Sequence, residues 1–249
     1  MVDINLVTRI YFIFIIGIRY KVEINYFYTM QPLKKIKVKW SPEFAYAIGL
    51  LTTDGNLSID GRHLDFTSKD TEQINNFMEC LGVKVKIGYK KSSSTGRKIP
   101  RIQFGDVNFY KFLLSIGLSP AKTKVISNLK IPEKYFFDFL RGHFDGDGTF
   151  YYFWDKRWRS SFMFYTVFTS TSKQHIEWLR DRIYKNLNIK GHFNKTRNIY
   201  YLKYAKAESL KLLPKMYYHK KVVCLSRKFK KIKKALEIEY KNNKIARVL

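Results

Sequence analysis

The sequence predicts an α+β protein made of two pseudo-symmetric αββαββα repeats, with one helix from each repeat packed on its twin at the repeat interface. Three observations carry this. The segment Phe44–Gly55 recurs as Phe137–Gly148, with Phe44/Phe137, Gly49/Gly142, Asp54/Asp147 and Gly55/Gly148 all 93 residues apart. The segments downstream of each copy recur in the same order. And 45% hydrophobic with 17% aromatic residues in 249 gives enough apolar surface for one large or two small domains.

Residues 1–39 read as an extension outside the repeats. Ile10–Ile18 is continuously apolar but bracketed by Arg9 and Arg19. A membrane span needs about 20 such residues, so this run reads as an accessory strand or helix. Met30 is an alternative start, and the extension is expected to be dispensable.

The first repeat spans residues 40–131. Ser41-Pro42-Glu43 supplies an N-cap, a proline at the first helical position and an acid in the first turn. The helix runs to Asp54-Gly55, where glycine is a usual stop. Leu64–Lys69 then leads to a helical pattern at Thr71–Leu81. Two basic, aromatic strand-like segments follow, Val85–Lys91 and Ile99–Gly105, joined by the polar loop Ser92–Lys98. Phe109–Leu118 closes the repeat as an apolar helix. The seam falls near Asn128–Pro132.

The second repeat spans residues 132–236, followed by a tail at 237–249. Pro132-Glu133 repeats the helix-start signal. Val167–Ser172 precedes a helix at Gln174–Leu187, strands at Lys190–Lys195 and Asn198–Tyr204, and a helix at Ala207–Met216. Alternating strand positions such as Arg101, Gln103 and Lys203 predict sheets with one wet, basic face and one face packed on helices.

Asp54 and Asp147 end their helices, where a negative charge opposes the helix dipole. Stability alone would not select this twice. Small residues recur one turn apart: Ala45, Gly49 and Thr53 on one helix, Gly142 and Gly146 on the other. Glycine inside a helix costs about 1 kcal/mol against alanine, and close backbone approach is the usual compensation. If these faces meet, Asp54 and Asp147 lie side by side next to free C-terminal carbonyls such as those of Thr53 and Gly146. Carboxylate and carbonyl oxygens are the ligands of Mg²⁺, and two metals can clamp a phosphodiester.

The charge identifies the partner class. Lys+Arg is 47 and Asp+Glu 20, a net charge of +27. Such a surface repels itself unless a polyanion neutralises it. A disordered basic tail is excluded by the aromatic content. Cys80 and Cys224 are in no metal or disulfide spacing, which fits a reducing compartment.

Leu140–Gly148 and Ala47–Gly55, at their fixed offset, resemble the two signature helices of the LAGLIDADG homing endonucleases in the monomeric two-repeat form. The resemblance covers about residues 39–234. It implies saddle-shaped antiparallel sheets that track the major groove of double-stranded DNA over about two helical turns, and metal-dependent cutting of both strands. It implies catalytic metal ligation by Asp54 and Asp147, with two or more Mg²⁺ ions at the repeat interface. It implies an assisting lysine in each repeat, Lys122 in the first and Lys220 or Lys221 in the second. Ser68, Lys69, Ser170 and Thr171 match polar positions after a strand. Ser68, Lys69 and Ser170 together with Lys86, Lys90, Arg101, Gln103, Lys195, Arg197 and Lys203 form the expected DNA-binding set. The first motif departs from the second at Thr52, where the second has Asp145.

Blander readings compete at several positions. An EF-hand opening at Asp145 would need Gly and Glu where Phe150 and Lys156 stand. Each lysine has a rival reading as a backbone contact or surface charge. Arg227–Lys234 reads as the basic side of a closing helix touching DNA backbone. His143 is expected at the helix interface or in the core. The function expected is a site-specific, metal-dependent DNA endonuclease acting as a monomer without membrane or protein partner. The alternative is an intron RNA maturase or a non-cleaving DNA-binding regulator on the same scaffold. An intron-encoded protein of an organelle or compact microbial genome fits the composition.

Overall fold

A computed structural model describes residues 4–15, 18–29, 35–92, 96–122, 125–158 and 161–243. Two compact units result, residues 1–33 and 34–249.

The first unit is an antiparallel hairpin of β1 (Ile4–Ile15) and β2 (Ile18–Thr29), in register from Ile4 opposite Thr29 to Ile15 opposite Ile18. The apolar run is therefore not one element: most of it ends the first strand, and Ile18 opens the second. Met30 lies outside the described residues. Residues 34–249 cluster as a unit without the hairpin. Because no paired element of the repeats lies upstream of Ser41, a protein shortened to begin at Met30 is expected to melt at an unchanged temperature. A large loss of thermal stability would place the hairpin in the core.

The second unit contains both repeats. The first comprises α1 (Pro42–Asp54), β3 (Gly55–Leu57), β4 (His63–Thr67), α2 (Thr71–Leu81), β5 (Gly88–Lys91), β6 (Lys98–Gly105) and α3 (Val107–Ser115). The second comprises α4 (Phe136–Asp147), β7 (Thr149–Trp154), β8 (Phe162–Ser170), α5 (Lys173–Leu187), β9 (His192–Thr196), β10 (Ile199–Tyr204) and α6 (Lys206–Met216). The expected αββαββα order thus holds in both. A further helix, α7 (Ser226–Asn243), runs through the 236/237 boundary; residues 244–249 lie outside the described ones.

The sheets share one topology, β3-β4-β6-β5 and β7-β8-β10-β9, all antiparallel. Strand alternation sets their faces. Leu64, Phe66, Ile102 and Phe104 are buried on the helix side of the first, and Phe162, Phe164, Phe168 and Leu202 on that of the second. The other face carries the residues between them. Among the described residues no helix is long and apolar enough to cross a membrane.

The helix starts differ. Ser41 caps α1, its side chain accepting from the Phe44 amide at 3.1 Å. Pro132 instead opens a 3-10 turn, Glu133–Tyr135, and α4 begins at Phe136 with no side-chain cap. A proline-led turn can hand its last residues to a helix, so the start signal at Pro132 lies four residues before the first residue of α4. Gly55 and Gly148 do end their helices, but in extended conformations with φ −88° and −80°. They are not left-handed caps. An added Cβ at Gly148 would lie 2.5 Å from the Phe144 carbonyl oxygen, so space is what requires glycine there.

Candidate active site

α1 and α4 pack backbone to backbone. A Cβ on Gly49 would run into the Phe139 carbonyl and lie 2.6 Å from the His143 amide. A Cβ on Gly142 would run into the Tyr46 carbonyl and lie 3.1 Å from the Leu50 amide. These glycines permit an approach that any side chain would hold off. One turn on, Gly146 meets the Thr53 hydroxyl, and its missing Cβ would be 3.0 Å from Asp54 Oδ2.

The two aspartates therefore end the helices beside each other. Burial first, and then the Asp147 charge, raise Asp54 from 3.8 to about 6, against the bond from Gln73 and the pull of Lys228 and Lys122. Asp147 is also raised by desolvation, although its side chain is exposed at the site's mouth. Two carboxylates held where neither ionises comfortably are a charge that wants a cation. Among the described residues no three of His, Cys, Asp and Glu come together as metal ligands. The paired carboxylates are oxygen donors, suited to a hard, oxygen-seeking ion.

Asp54 is held by a relay. Gln73 Nε2 donates to Asp54 Oδ2 at 3.0 Å, Ser68 Oγ donates to Gln73 Oε1 at 2.9 Å, and the Asp70 amide donates to Ser68 Oγ at 3.1 Å. Ser68 is thus buried support for the carboxylate rather than an outward DNA contact. His175 occupies the place of Gln73 in the second repeat, three residues after its helix cap. Its Nδ1 faces the Ser127 carbonyl at 2.9 Å, and its ring stacks on His143 at 5.1 Å. Burial drives both imidazoles down, His175 to about 4, so both are neutral. His143 lies in the core.

Lys122 is buried and its Nζ donates to the Gly55 carbonyl. Desolvation pushes it to about 8, against the pull of Asp54 and Asp147. The matching lysine of the second repeat is Lys228. Its buried Nζ donates to the carbonyls of Phe144 at 2.6 Å, Asp145 at 2.9 Å and Gly148 at 2.7 Å. It too is pushed to about 8 by burial. An ammonium on the end of α4 offsets the dipole that Asp147 opposes. Lys220 and Lys221 are exposed and make none of these contacts. The motif offset could not find Lys228, because it stands 106 residues after Lys122 rather than 93.

Lys228→Met should lower the melting temperature by several degrees. It strips the donor from three carbonyls, at about 1 kcal/mol or more for each. Lys122→Met, which loses one such bond, should shift it less. Equal shifts in thermal melts would contradict the capping role.

Asp145 and Thr52 explain the departure between the motifs. Asp145 Oδ2 accepts from Tyr46 Oη at 2.8 Å and from the Leu225 amide at 2.7 Å, tying α4 to α1 and to the start of α7. Thr52 turns back on its own helix, to the Ile48 carbonyl at 2.7 Å. Neither residue faces the aspartate pair through these bonds.

The remaining expected contacts scatter. Arg101, Gln103 and Lys90 share the open face of the first sheet, with Arg101 bonded to Asp65 at 2.8 Å. Lys86 and Lys69 are exposed just outside the strands. Ser170 ends β8, half-buried, and accepts from the Ser172 amide; Thr171 lines a small cavity with Lys122, Asp147 and His175. Lys203 is on the open face of the second sheet, directly opposite Val167 and His192. Lys195 points to the other face, where its ammonium lies 5.2 Å from the Tyr200 ring. Arg197 sits at the hairpin tip with φ +55°.

No family model matches the sequence, and no curated protein matches it. Solved structures do resemble the fold. The homing endonuclease I-WcaI bound to its DNA recognition sequence superposes with TM-score 0.55 at 15% identity, over 77% of this chain and 86% of that one. The LAGLIDADG meganuclease I-AabMI bound to uncleaved DNA gives 0.54 at 16%, over 82% and 92%. The I-LtrWI LAGLIDADG homing endonuclease bound to target DNA gives 0.53 at 12%, over 82% and 91%. The chain has the two-repeat LAGLIDADG fold.

Proposed function

We propose that this protein is a site-specific DNA endonuclease that makes a metal-dependent double-strand break in a long duplex target. The observation that carries the reading is the meeting of Asp54 and Asp147 at the ends of two glycine-packed helices, at the head of two open sheets. Both repeats are in one chain, so a monomer presents two half-sites.

The site fits a divalent cation: the aspartates repel each other and offer hard carboxylate oxygens, while the neutral imidazoles of His143 and His175 line the cavity beside Asp147. Asp54 and Asp147 would hold it, with the Thr53 and Gly146 carbonyls as further ligands. When bound, such an ion supplies Lewis-acid stabilisation of the charge that grows on a phosphate under attack. The chain's own residues prepare the place. Gln73 orients the Asp54 carboxylate. Lys122 and Lys228 supply fixed positive charge beside both aspartates. Thr169 Oγ1 donates to the Asp147 carbonyl at 2.8 Å, fastening the second aspartate's backbone to its sheet. The net charge of +27 supplies the attraction for the phosphate backbone.

The test is incubation of a randomised plasmid library with protein and Mg²⁺, with a chelator control, followed by sequencing of the linear products. Recurrent ends at one sequence are expected; random ends or none would overturn the reading. Binding to the recovered site should fall steeply with salt. Each phosphate contact contributes about −0.9 to the slope of log K against log salt, so a slope of about −4 or steeper is expected. A slope near zero would contradict a phosphate-dominated interface.

A further inference from the structure

The open faces of the two sheets differ in chemistry. On the first, register places Asn56, Asp65 and Gln103 in one row and Thr67 with Arg101 in the next. These side chains donate or accept hydrogen bonds. On the second, Tyr151 stands opposite Tyr165 and Phe153 opposite Met163, with Val167 in the neighbouring row. Lys203 is the one lysine in those rows. Over β7 and β8 a face expected to be wet and basic is aromatic instead, while β9 and β10 carry His192, Asn194, Thr196 and Tyr201 on that same face.

The rings are arranged in a particular way. Tyr151 and Tyr165 stack at 5.2 Å and 26°, Tyr151 and Phe153 at 6.4 Å and 10°, and Phe153 and Tyr165 at 6.1 Å and 17°. The Lys203 ammonium covers the Tyr165 ring at 4.1 Å. Ring faces are thus taken by other rings and by a cation. A platform for unpaired bases needs free faces. What these two strands offer outward is ring edges, apolar at Phe153, which keeps 43% of its surface exposed, and tipped by a hydroxyl at Tyr151 and Tyr165.

The face is continuous with the aspartates, since β7 starts two residues after Asp147 and Thr169 of β8 bonds the Asp147 carbonyl. Under the function proposed above, on which this inference rests, the major groove of one half-site lies here. Base edges in that groove are hydrogen-bonding groups, with one exception: the 5-methyl of thymine. Apolar side chains gain by burying that methyl and lose by burying an unpaired donor or acceptor. We infer that the two half-sites are read by different chemistry. In the second sheet, strands β7 and β8 select thymine methyl groups through Tyr151, Phe153, Tyr165, Met163 and Val167. The first reads hydrogen-bonding edges through Asn56, Asp65, Arg101 and Gln103.

Uracil substitution removes the methyl and leaves pairing intact. The full-length protein is first used to select its site from a randomised duplex library. A repeat selection with Gln103→Ala identifies the half under the first sheet by its altered preference. Synthetic duplexes of the selected site then carry deoxyuridine for thymidine in one half or the other. Each lost methyl contact in the second half should weaken binding by about fourfold, so three should weaken it by tens of fold. The same change in the first half should cost less than twofold. Tyr165→Ser should lower the sensitivity to uracil in the second half only. Equal sensitivity in both halves, or none, would overturn the inference while leaving the endonuclease reading intact. So would tighter binding to a single strand of the same sequence, which would make the face a stacking surface. Failure to select any duplex would overturn both.

Discussion

Asp54→Asn and Asp147→Asn should each reduce double-strand cleavage by about a thousandfold or more while leaving binding to the selected duplex within a few-fold. Removing a carboxylate from a cation site forfeits several kcal/mol of transition-state stabilisation, whereas phosphate contacts are made by the basic surface elsewhere. Supercoiled-plasmid cutting and gel-shift titration separate the two effects, and near wild-type cutting by either variant would sink the two-aspartate site. Stability should move the other way. Asp54 has its folded-state pKa raised from 3.8 to about 6 by burial and by Asp147. An acid raised in this sense favours the fold when protonated. Its contribution is full below about pH 4 and is lost as the pH rises through 6. At neutral pH the ionised carboxylate is therefore a cost, about 1–2 kcal/mol after screening of a half-buried group. Asp54→Asn should melt a few degrees higher at pH 7 without metal and show no gain at pH 4. Mg²⁺ should raise the melting temperature of the wild type more than that of either variant.

Gly49→Ala and Gly142→Ala should each destabilise the protein by about 3 kcal/mol or more, lowering its melting temperature by roughly 6–12 °C. Alanine normally favours a helix by about 1 kcal/mol over glycine, so the sign itself is informative. The added methyl would collide with the Phe139 carbonyl in one case and the Tyr46 carbonyl in the other. Both obstacles are backbone in a helix whose own hydrogen bonds hold it, so neither can swing aside as a side chain would. Separation of the helices would also part the aspartates, and cleavage should fall with stability. A stabilising effect of either substitution would mean that the helices do not touch there.

Much of this protein is legible along the chain because repetition and periodicity are local properties. The twin helices, the closing glycines, the two aspartates and the strand–helix order follow from spacing, and α2 spans the same residues, Thr71–Leu81, that its pattern predicts. The second helix start was misplaced because a proline signals a turn of either kind. The chemistry around the aspartates was less legible. Lys228 reaches the end of α4 from α7 across more than eighty residues, and Gln73 reaches Asp54 from the next helix. The neutral, stacked His143 and His175, and the aromatic rather than basic face that β7 and β8 present, depend on which side of each element turns inward. The sequence by itself determined the duplicated α+β frame and placed one carboxylate at the end of each motif helix. Tertiary structure alone decided which lysines cap those ends and what holds Asp54. A hydrogen bond between distant residues is set by how helices pack in space, and no interval along the chain encodes that distance.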